Sequence, residues 1–424
     1  MENNKRAELG WVIFDWANSS YSLVISTAIF PTFFIASTPN TIQLGNFQFT
    51  NSSLYAFAVT FSYLLICLLS PVLSGIADYG GRRKYFMRLF TTIGSLSCIG
   101  LYFFTGESSL WVGLVGFIIA TAGHAGSIVF YDSYLSHLVP IERRDAVSAK
   151  GYAYGYVGSV ILLIINLAMI QFPEKFGFEA NSTIPVRVAF MSVGIWWLGF
   201  AQLSFRWLPK DVNLKEPTQM FSKGLNEVKK AIHVANDNKD IKYFLISFLC
   251  YSAGVQTVIY LASAFAKKEL GFDTTALIVI ILLLQLVAIV GAVFFARVSK
   301  WTNNLFSMNI MIVIWIAICL LAYLVKDQLQ FYLIAALVGL VLGGIQAISR
   351  SSYSKIIPQN SEFTTSLYSI YDVLYYISIV AGTFLFGLVD QMTGNMRYSV
   401  LCLGLFFITG LILLQKVDKK YFLK

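Results

Sequence analysis

Five ionisable side chains stand inside long apolar runs of this 424-residue chain: Asp15, His124, Asp132, Arg350 and Asp372. An ionisable group among apolar neighbours is costly to keep, so each is a functional candidate by default. Asp15 is followed by Asn18, Ser19 and Ser22 at i+3, i+4 and i+7, which is one polar stripe of a helix. That stripe must meet protein or water, as a solute contact, a gate or a helix contact. His124, among Gly123, Gly126 and Ser127, is the side chain type that exchanges a proton near neutral pH, and it either relays protons or bridges packed helices. Asp372, beside Tyr371 and Tyr375, carries a proton, anchors an amine or pairs with a neighbouring helix. Arg350 either pairs with Asp132 or grips a carboxylate through its two-pronged guanidinium. Gln256, Thr257 and Gln346 add uncharged hydrogen-bonding groups.

The elements that must hold these groups are membrane helices. The chain is 57% hydrophobic and 12% charged, against about 25% charged residues in an ordinary soluble domain. Apolar runs lie near 10–37, 53–77, 85–104, 110–137, 146–172 and 184–206, then near 241–266, 272–298, 303–325, 328–350, 361–388 and 395–416. Each is long enough to cross a hydrocarbon layer about 30 Å thick. Their continuity excludes a transmembrane barrel, which needs short alternating strands. The opening Met-Glu-Asn-Asn-Lys-Arg leads into a full-length span, so the chain is expected to carry no cleaved leader. With the N-terminus inside, 25 of the 31 Lys and Arg residues fall on the inner side and 6 on the outer. This bias predicts that both termini are cytoplasmic. It also makes the net charge of +9 a matter of orientation and not a nucleic-acid surface.

The spans fall into two sets of six, giving expected units of 1–208 and 241–424 joined by a cytoplasmic linker, 209–240. In the linker Phe221, Leu225, Val228 and Ile232 recur at helical spacing among Lys223, Lys229 and Lys230. They predict either an amphipathic helix on the membrane surface or a solvated linker helix. Ser133-Tyr134-Leu135-Ser136-His137-Leu138-Val139-Pro140 is echoed by Ser351-Ser352-Tyr353-Ser354-Lys355-Ile356-Ile357-Pro358 at a constant offset of 218. In that register Arg350 stands opposite Asp132, and Glu362 opposite Arg144. Two six-helix halves related by a pseudo-twofold along the membrane normal form the major facilitator architecture. The expected fold is therefore all-α, with 12 transmembrane helices in two pseudo-symmetric bundles.

After the second span comes Ser74-Gly75-Ile76-Ala77-Asp78-Tyr79-Gly80-Gly81-Arg82-Arg83-Lys84. It resembles the major facilitator signature G-x-L-A-D-R-x-G-R-R, departing from it at Ser74 and Tyr79. A carboxylate there can meet a helix N-terminus, and the resemblance implies a cytoplasmic gate containing Asp78, Arg82 and Arg83, with Arg143 and Arg144 in the next inner loop. A narrower resemblance rests on Gly10-Trp11-Val12-Ile13-Phe14-Asp15-Trp16-Ala17-Asn18-Ser19-Ser20-Tyr21, on Phe130-Tyr131-Asp132-Ser133-Tyr134-Leu135, on Leu138 to Gly158, and on Gly254-Val255-Gln256-Thr257 and Gly343-Gly344-Ile345-Gln346-Ala347-Ile348-Ser349-Arg350. This set is similar to the vacuole-effluxer (autophagy-related protein 22-like) branch of the superfamily. The resemblance covers nearly the whole chain. Ala253 stands where many relatives are expected to carry an acid.

The resemblance implies a secondary transporter that moves a small polar solute, an amino acid or related metabolite, by alternating access, with protons as the candidate coupling ion. Two other readings stay open: an exporter of an amphiphile, drug or lipid, and a receptor or assembly partner that retains the fold. No phosphate-binding G-x-x-x-x-G-K-[ST] motif is present. The five cysteines are scattered singly, and neither they nor the three histidines form a metal spacing. The chain is expected to be no enzyme and to need no cofactor. Its expected partners are a small-molecule substrate and the lipid bilayer, with no nucleic acid, and it is expected to work as a monomer in the inner or plasma membrane.

Overall fold

A computed structural model of the chain describes residues 2–180, 182–211, 220–359 and 361–422. Among the described residues, 12 helices are long and apolar enough to cross a membrane, one for each expected span. The first span is composite. Helix α1 (Glu2–Ser20) continues as a π-helix, Tyr21–Ile29, and then as α2 (Phe30–Ser37). Pro31 explains the change of register. It has no N–H, and its ring crowds the carbonyl four residues back, so the ordinary i→i−4 pattern fails there. The chain widens instead, and Phe30 N–H reaches back five residues to Ile25 O. Thr27 Oγ1 follows the same wide spacing and donates to Ser22 O at 2.9 Å.

A two-stranded hairpin follows, β1 (Thr41–Leu44) and β2 (Phe47–Thr50). It lies where the apolar runs predicted only a connection. Then come α3 (Asn51–Gly80), α4 (Arg83–Gly100), α5 (Leu110–Leu138), α6 (Arg144–Gln171) and α7 (Ile184–Trp207). The linker contributes α8 (Met220–Asp237), and the second set is α9 (Lys239–Leu270), α10 (Thr274–Trp301), α11 (Asn304–Leu324), α12 (Gln328–Ile356), α13 (Thr364–Thr393) and α14 (Met396–Leu414). Starts in the second set are written in side chains. Asn238, Asp273, Asn303, Asp327 and Asn395 each accept a first-turn amide of the helix they precede, as good N-caps do.

Helices in lipid associate by close packing, which small residues permit. Gly339 and Gly343 on α12 face the carbonyls of Leu284 and Ala288 on α10, and Gly291 on α10 faces that of Leu340, with no room for a Cβ. The same device joins α13 to α9, where Gly382 meets Ala253 O and Thr257 Oγ1.

The chain divides into two compact units. One is built from Met1–Leu73, Gly80–Tyr131 and Tyr154–Pro217; the other from Ser74–Tyr79, Asp132–Ala153 and Thr218–Lys424. Each unit contains an arginine clamp of the same design. In the first, Arg187 at the start of α7 donates through Nε to Tyr102 O at 2.6 Å and lies over the Tyr102 ring. In the second, Arg397 at the start of α14 donates to Tyr323 O at 3.0 Å and to Val325 O, with Glu269 Oε2 accepting from its Nε at 3.2 Å.

Candidate functional site

Asp132 and Arg350 meet. Arg350 Nη1 donates to Asp132 Oδ1 at 3.1 Å, and both side chains are almost wholly buried. The rest of the guanidinium is also occupied. Its Nε donates to Ser148 Oγ at 3.0 Å, its Nη2 donates to Ser148 O at 3.1 Å, and its plane lies over the Tyr152 ring at 4.2 Å. Ser148 in turn donates its hydroxyl to Ala347 O at 2.8 Å. A buried ion pair needs such additional bonds to offset the loss of water.

Asp372 lies on α13 within electrostatic reach of both Asp132 and Arg350. It is 3% exposed, and its Oδ2 has no hydrogen-bond partner. Two buried carboxylates and one buried guanidinium thus stand in one neighbourhood. Beside them runs an aromatic wall: Phe248 stacks on Tyr371 at 4.0 Å, Tyr371 on Tyr353 at 4.9 Å, and Tyr353 on Phe244 at 6.0 Å. Tyr251 and Ser349 close this region with a hydroxyl–hydroxyl bond of 2.7 Å. Gln256 is buried on α9, five residues beyond Tyr251. Thr257 turns its hydroxyl to its own helix, donating to Ala253 O at 2.7 Å. Gln346 is half-buried on α12, one turn before Arg350.

The first unit holds the other two ionisable candidates. Tyr131 donates its hydroxyl to Asp15 Oδ2 at 2.6 Å. The Tyr131 ring stacks on Trp11 at 4.6 Å, and Trp11 Nε1 donates to Tyr131 O at 2.9 Å. Gly155 lets α6 approach α1 at Asp15 and Ser19. Asn18 is buried, with its Nδ2 unpartnered. His124 is ringed by aromatics, with Tyr21 at 5.0 Å and Trp197 at 5.9 Å. Tyr21, the first residue of the π segment, shares a hydroxyl bond of 2.6 Å with Thr121.

The five loop residues separate into different environments. Asp78 caps α13: it accepts from Thr365 N at 3.1 Å, from Ser366 N at 2.7 Å and from Ser366 Oγ at 2.8 Å. A carboxylate at a helix N-terminus satisfies orphan amides and meets the positive end of the helix dipole. Arg144 does the converse. Its Nε donates to Val139 O at 3.0 Å and its Nη2 to Ser136 O at 2.8 Å, at the end of α5. Its Nη1 donates to Ser354 O in the last turn of α12, and Gln359 Oε1 accepts from Nη2 at 2.8 Å. Ser136 and Ser354 are themselves 218 positions apart, so one guanidinium caps two equivalent helix ends. Arg143 lies in the short turn before α6. Arg82 and Arg83 sit at the start of α4, and the buried Nε of Arg82 has no partner.

Sequence reasoning missed several partners. Lys355 donates to Asp145 Oδ2 at 2.7 Å, and Asn304 donates to Asp145 Oδ1 at 2.8 Å. Ser136 and Tyr368 share a hydroxyl bond of 2.9 Å. Asp211 accepts from Lys84 N and Tyr85 N at 2.8 and 2.9 Å, capping α4. Lys355 stands inside the repeated segment and Asp145 next to Arg144, but neither position specifies a partner. On the linker helix the buried stripe includes Gly224, Glu227, Val228, Ala231 and Ala235, while Phe221 and Ile232 are exposed. Gly224 lies against Gly75 and Ile76 of α3, so the helix packs through its smallest side chains. From the edge of that stripe Glu227 holds the exposed Lys230 ammonium above its ordinary pKa through a hydrogen bond.

Among the described residues, twelve helices long and apolar enough to cross a membrane enclose a buried charge cluster, and their fold is that of the major facilitator class of transporters. The fold matches the major facilitator superfamily transporter FucP with a TM-score of 0.70 at 16% identity, covering 98% of each chain. It also matches the proton:xylose symporter XylE with a TM-score of 0.70 at 14% identity, covering 99% of this chain and 96% of that one. The family profile described as "Vacuole effluxer Atg22 like" matches residues 3–421, and the chain belongs to that family. It is similar to YxiO of Bacillus subtilis (strain 168), called an uncharacterised MFS-type transporter, with 26% identity covering 99% of this chain and 96% of that protein. Autophagy-related protein 22 of Saccharomyces cerevisiae (strain ATCC 204508 / S288c) is 27% identical, over 87% of this chain and 78% of its own.

Proposed function

We propose that the protein is a secondary active transporter of a small polar solute, an amino acid or related metabolite, driven by protons. It works by alternating access of two six-helix halves, 1–208 and 241–424, about the linker 209–240. The observation that carries the proton reading is Asp372: buried, with Oδ2 unpartnered, in the electrostatic neighbourhood of the Asp132–Arg350 pair. Two carboxylates and one guanidinium leave an excess negative charge, which either a proton or a substrate ammonium neutralises. Competition between the two for the same carboxylate couples them. The charge-neutral pair Asp132–Arg350 opens and closes with the cycle, and Asp78 and Arg144 act as cytoplasmic clasps. Asp15, Asn18, Gln256 and Gln346 supply polar contacts to the solute, with His124 as a second proton site. The chain sits in the cell membrane as a monomer with both termini cytoplasmic.

The test is flux in proteoliposomes, with labelled amino acids screened in the presence and absence of a pH gradient. Saturable accumulation that follows the gradient is expected. Asp372→Asn, which removes the carboxylate that proton and ammonium share, should abolish that accumulation and weaken solute exchange at zero gradient. Flux indifferent to the gradient overturns proton coupling, and no flux of any amino acid or polar metabolite overturns the polar-solute reading. The amphiphile alternative has one observation behind it, an apolar cavity in the second unit lined by Thr257, Leu261, Phe265, Phe331, Phe386 and Leu403. Extrusion of a lipophilic dye in the same vesicles would then take the place of amino-acid flux.

A further inference from the structure

The hairpin between the first two spans is two-faced. Its strands pair as Thr41↔Thr50, Ile42↔Phe49, Gln43↔Gln48 and Leu44↔Phe47. Alternate residues of a strand point to opposite faces. One face is therefore Ile42, Leu44, Phe47 and Phe49, and the other is Thr41, Gln43, Gln48 and Thr50. The two-residue turn, Gly45-Asn46, has Gly45 at φ 61°, the left-handed geometry that a tight hairpin asks of a glycine. The root is fixed. Asn51, the first residue of α3, donates from its side chain to Ile35 O at 3.0 Å and to Thr38 O at 3.3 Å, and from its amide to Asn40 O at 3.2 Å.

Ile42, near the root, is buried, Leu44 and Phe49 are half-buried, and the tip of the apolar face is open. Phe47 at the tip is 70% exposed. Its ring neighbours Phe49 at 6.4 Å, and Phe49 meets Phe57 of α3 edge-on at 6.0 Å. Phe57 begins a stripe of exposed apolar side chains, Phe57, Phe61, Leu64 and Leu68, spaced by four, three and four residues along one side of a helix. On a membrane-spanning helix such a stripe is the lipid face. The hairpin's aromatic side continues it past the helix end, at the depth where amphipathic aromatic elements settle between acyl chains and head groups. Nothing in the sequence opposes partial immersion, since no Asp, Glu, Lys or Arg occurs between Asp15 and Asp78.

We propose that this hairpin is an interfacial membrane anchor. Its Leu44, Phe47 and Phe49 side chains insert into the lipid leaflet at the far end of α3, and its Thr/Gln face stays in water. The partner is the lipid surface itself. Anchored in this way, the hairpin ties the end of α2 and the start of α3 to the bilayer.

The test places a nitroxide label on single cysteines made by Phe47→Cys, Gln43→Cys and Gln48→Cys, with Phe61→Cys as the lipid-face reference, after the five native cysteines have been replaced. The protein is reconstituted in phosphatidylethanolamine–phosphatidylglycerol vesicles, and collision with oxygen is compared with collision with a water-soluble nickel chelate. The expected oxygen-to-nickel ratio at position 47 is several-fold above that at 43 and 48, and close to that at 61. Equal, nickel-accessible labels at 43, 47 and 48 overturn the proposal. So does a label at 47 immobilised and reached by neither reagent, which marks a protein partner or a second copy on the hairpin. A label introduced by Asn46→Cys, with Phe47 left in place, reports the depth of the intact tip. Nickel access there equal to that of a label at the exposed loop position of Glu179→Cys, with position 47 also nickel-accessible, overturns the proposal as well.

Discussion

Arg350 and Asp132 are 218 positions apart, the offset of the internal repeat, and their side chains form a buried ion pair at 3.1 Å. A residue in one copy of the repeat thus bonds the residue that stands in its own place in the other copy, both within the same compact unit. The repeat is asymmetric where it matters: the sequence writes a cation at one copy and an anion at the other. Ser148 and Tyr152 hold the cation from the remaining sides.

Breaking that pair from one side leaves a buried charge without compensation, at a cost of about 3–5 kcal/mol. Arg350→Gln is therefore expected to lower the unfolding temperature sharply. Asp132→Asn together with Arg350→Gln should cost less than the two single changes added. A double-mutant cycle by thermal unfolding in detergent micelles checks this, and strict additivity would show that the pair contributes nothing.

Asp78 serves three donors at the start of α13. Bonds to a charged acceptor contribute about 1.5–3 kcal/mol in mutational series. Asp78→Ala should destabilise by that order and raise hydrogen exchange at Thr365 and Ser366, while Asp78→Asn, which keeps one acceptor oxygen, should lose less. Unchanged exchange at those two amides would remove the capping role.

Tyr131→Phe deletes the hydroxyl that reaches Asp15 at 2.6 Å and leaves the ring stack on Trp11 in place. A loss of about 1.5–3 kcal/mol is expected for a bond to a charged group, read as a lowered unfolding midpoint. A midpoint equal to that of the parent protein would mean that Asp15 is served equally well without it.

Gly382 lies against Ala253 O and Thr257 Oγ1. Gly382→Leu must push α13 off α9, and overpacking of this kind costs about 1–3 kcal/mol or more. Reduced yield of folded, monodisperse protein is the expected result. Full stability would show that the two helices part without penalty.

The spans were legible because each is a long apolar run, and among the described residues 12 runs gave 12 helices. Asp132 and Arg350 were legible as opposite members of a repeat, since offset arithmetic needs no coordinates. Asp145 and Lys355 were not, because an acid beside two arginines names no partner until folding brings the two side chains within 2.7 Å. The linker helix was read from Phe221, Leu225, Val228 and Ile232, yet at Gly224 its backbone lies against Gly75 and Ile76 with no room for a Cβ. Large apolar side chains dominate any hydrophobic count, whereas a close backbone approach selects the smallest residues. The hairpin was signalled by Thr-Ile-Gln-Leu-Gly-Asn-Phe-Gln-Phe-Thr, alternation around a Gly-Asn turn. Its ten residues were lost between two much longer hydrophobic runs. The π segment had only Pro31 to announce it.

That widened segment gives the first membrane helix a reserve of slack. From Tyr21 to Ile29 the chain closes each bond over five residues where an α-helix closes it over four. An α-helical residue advances about 1.5 Å and turns about 100°. Drawing in a single residue of slack would therefore swivel everything from Phe30 to Ser37 by more than a quarter turn while Asp15 stayed still. Tyr21, bonded to Thr121 and packed on His124, marks one end of the widened segment, and Pro31, which has no N–H to donate, stands just past the other.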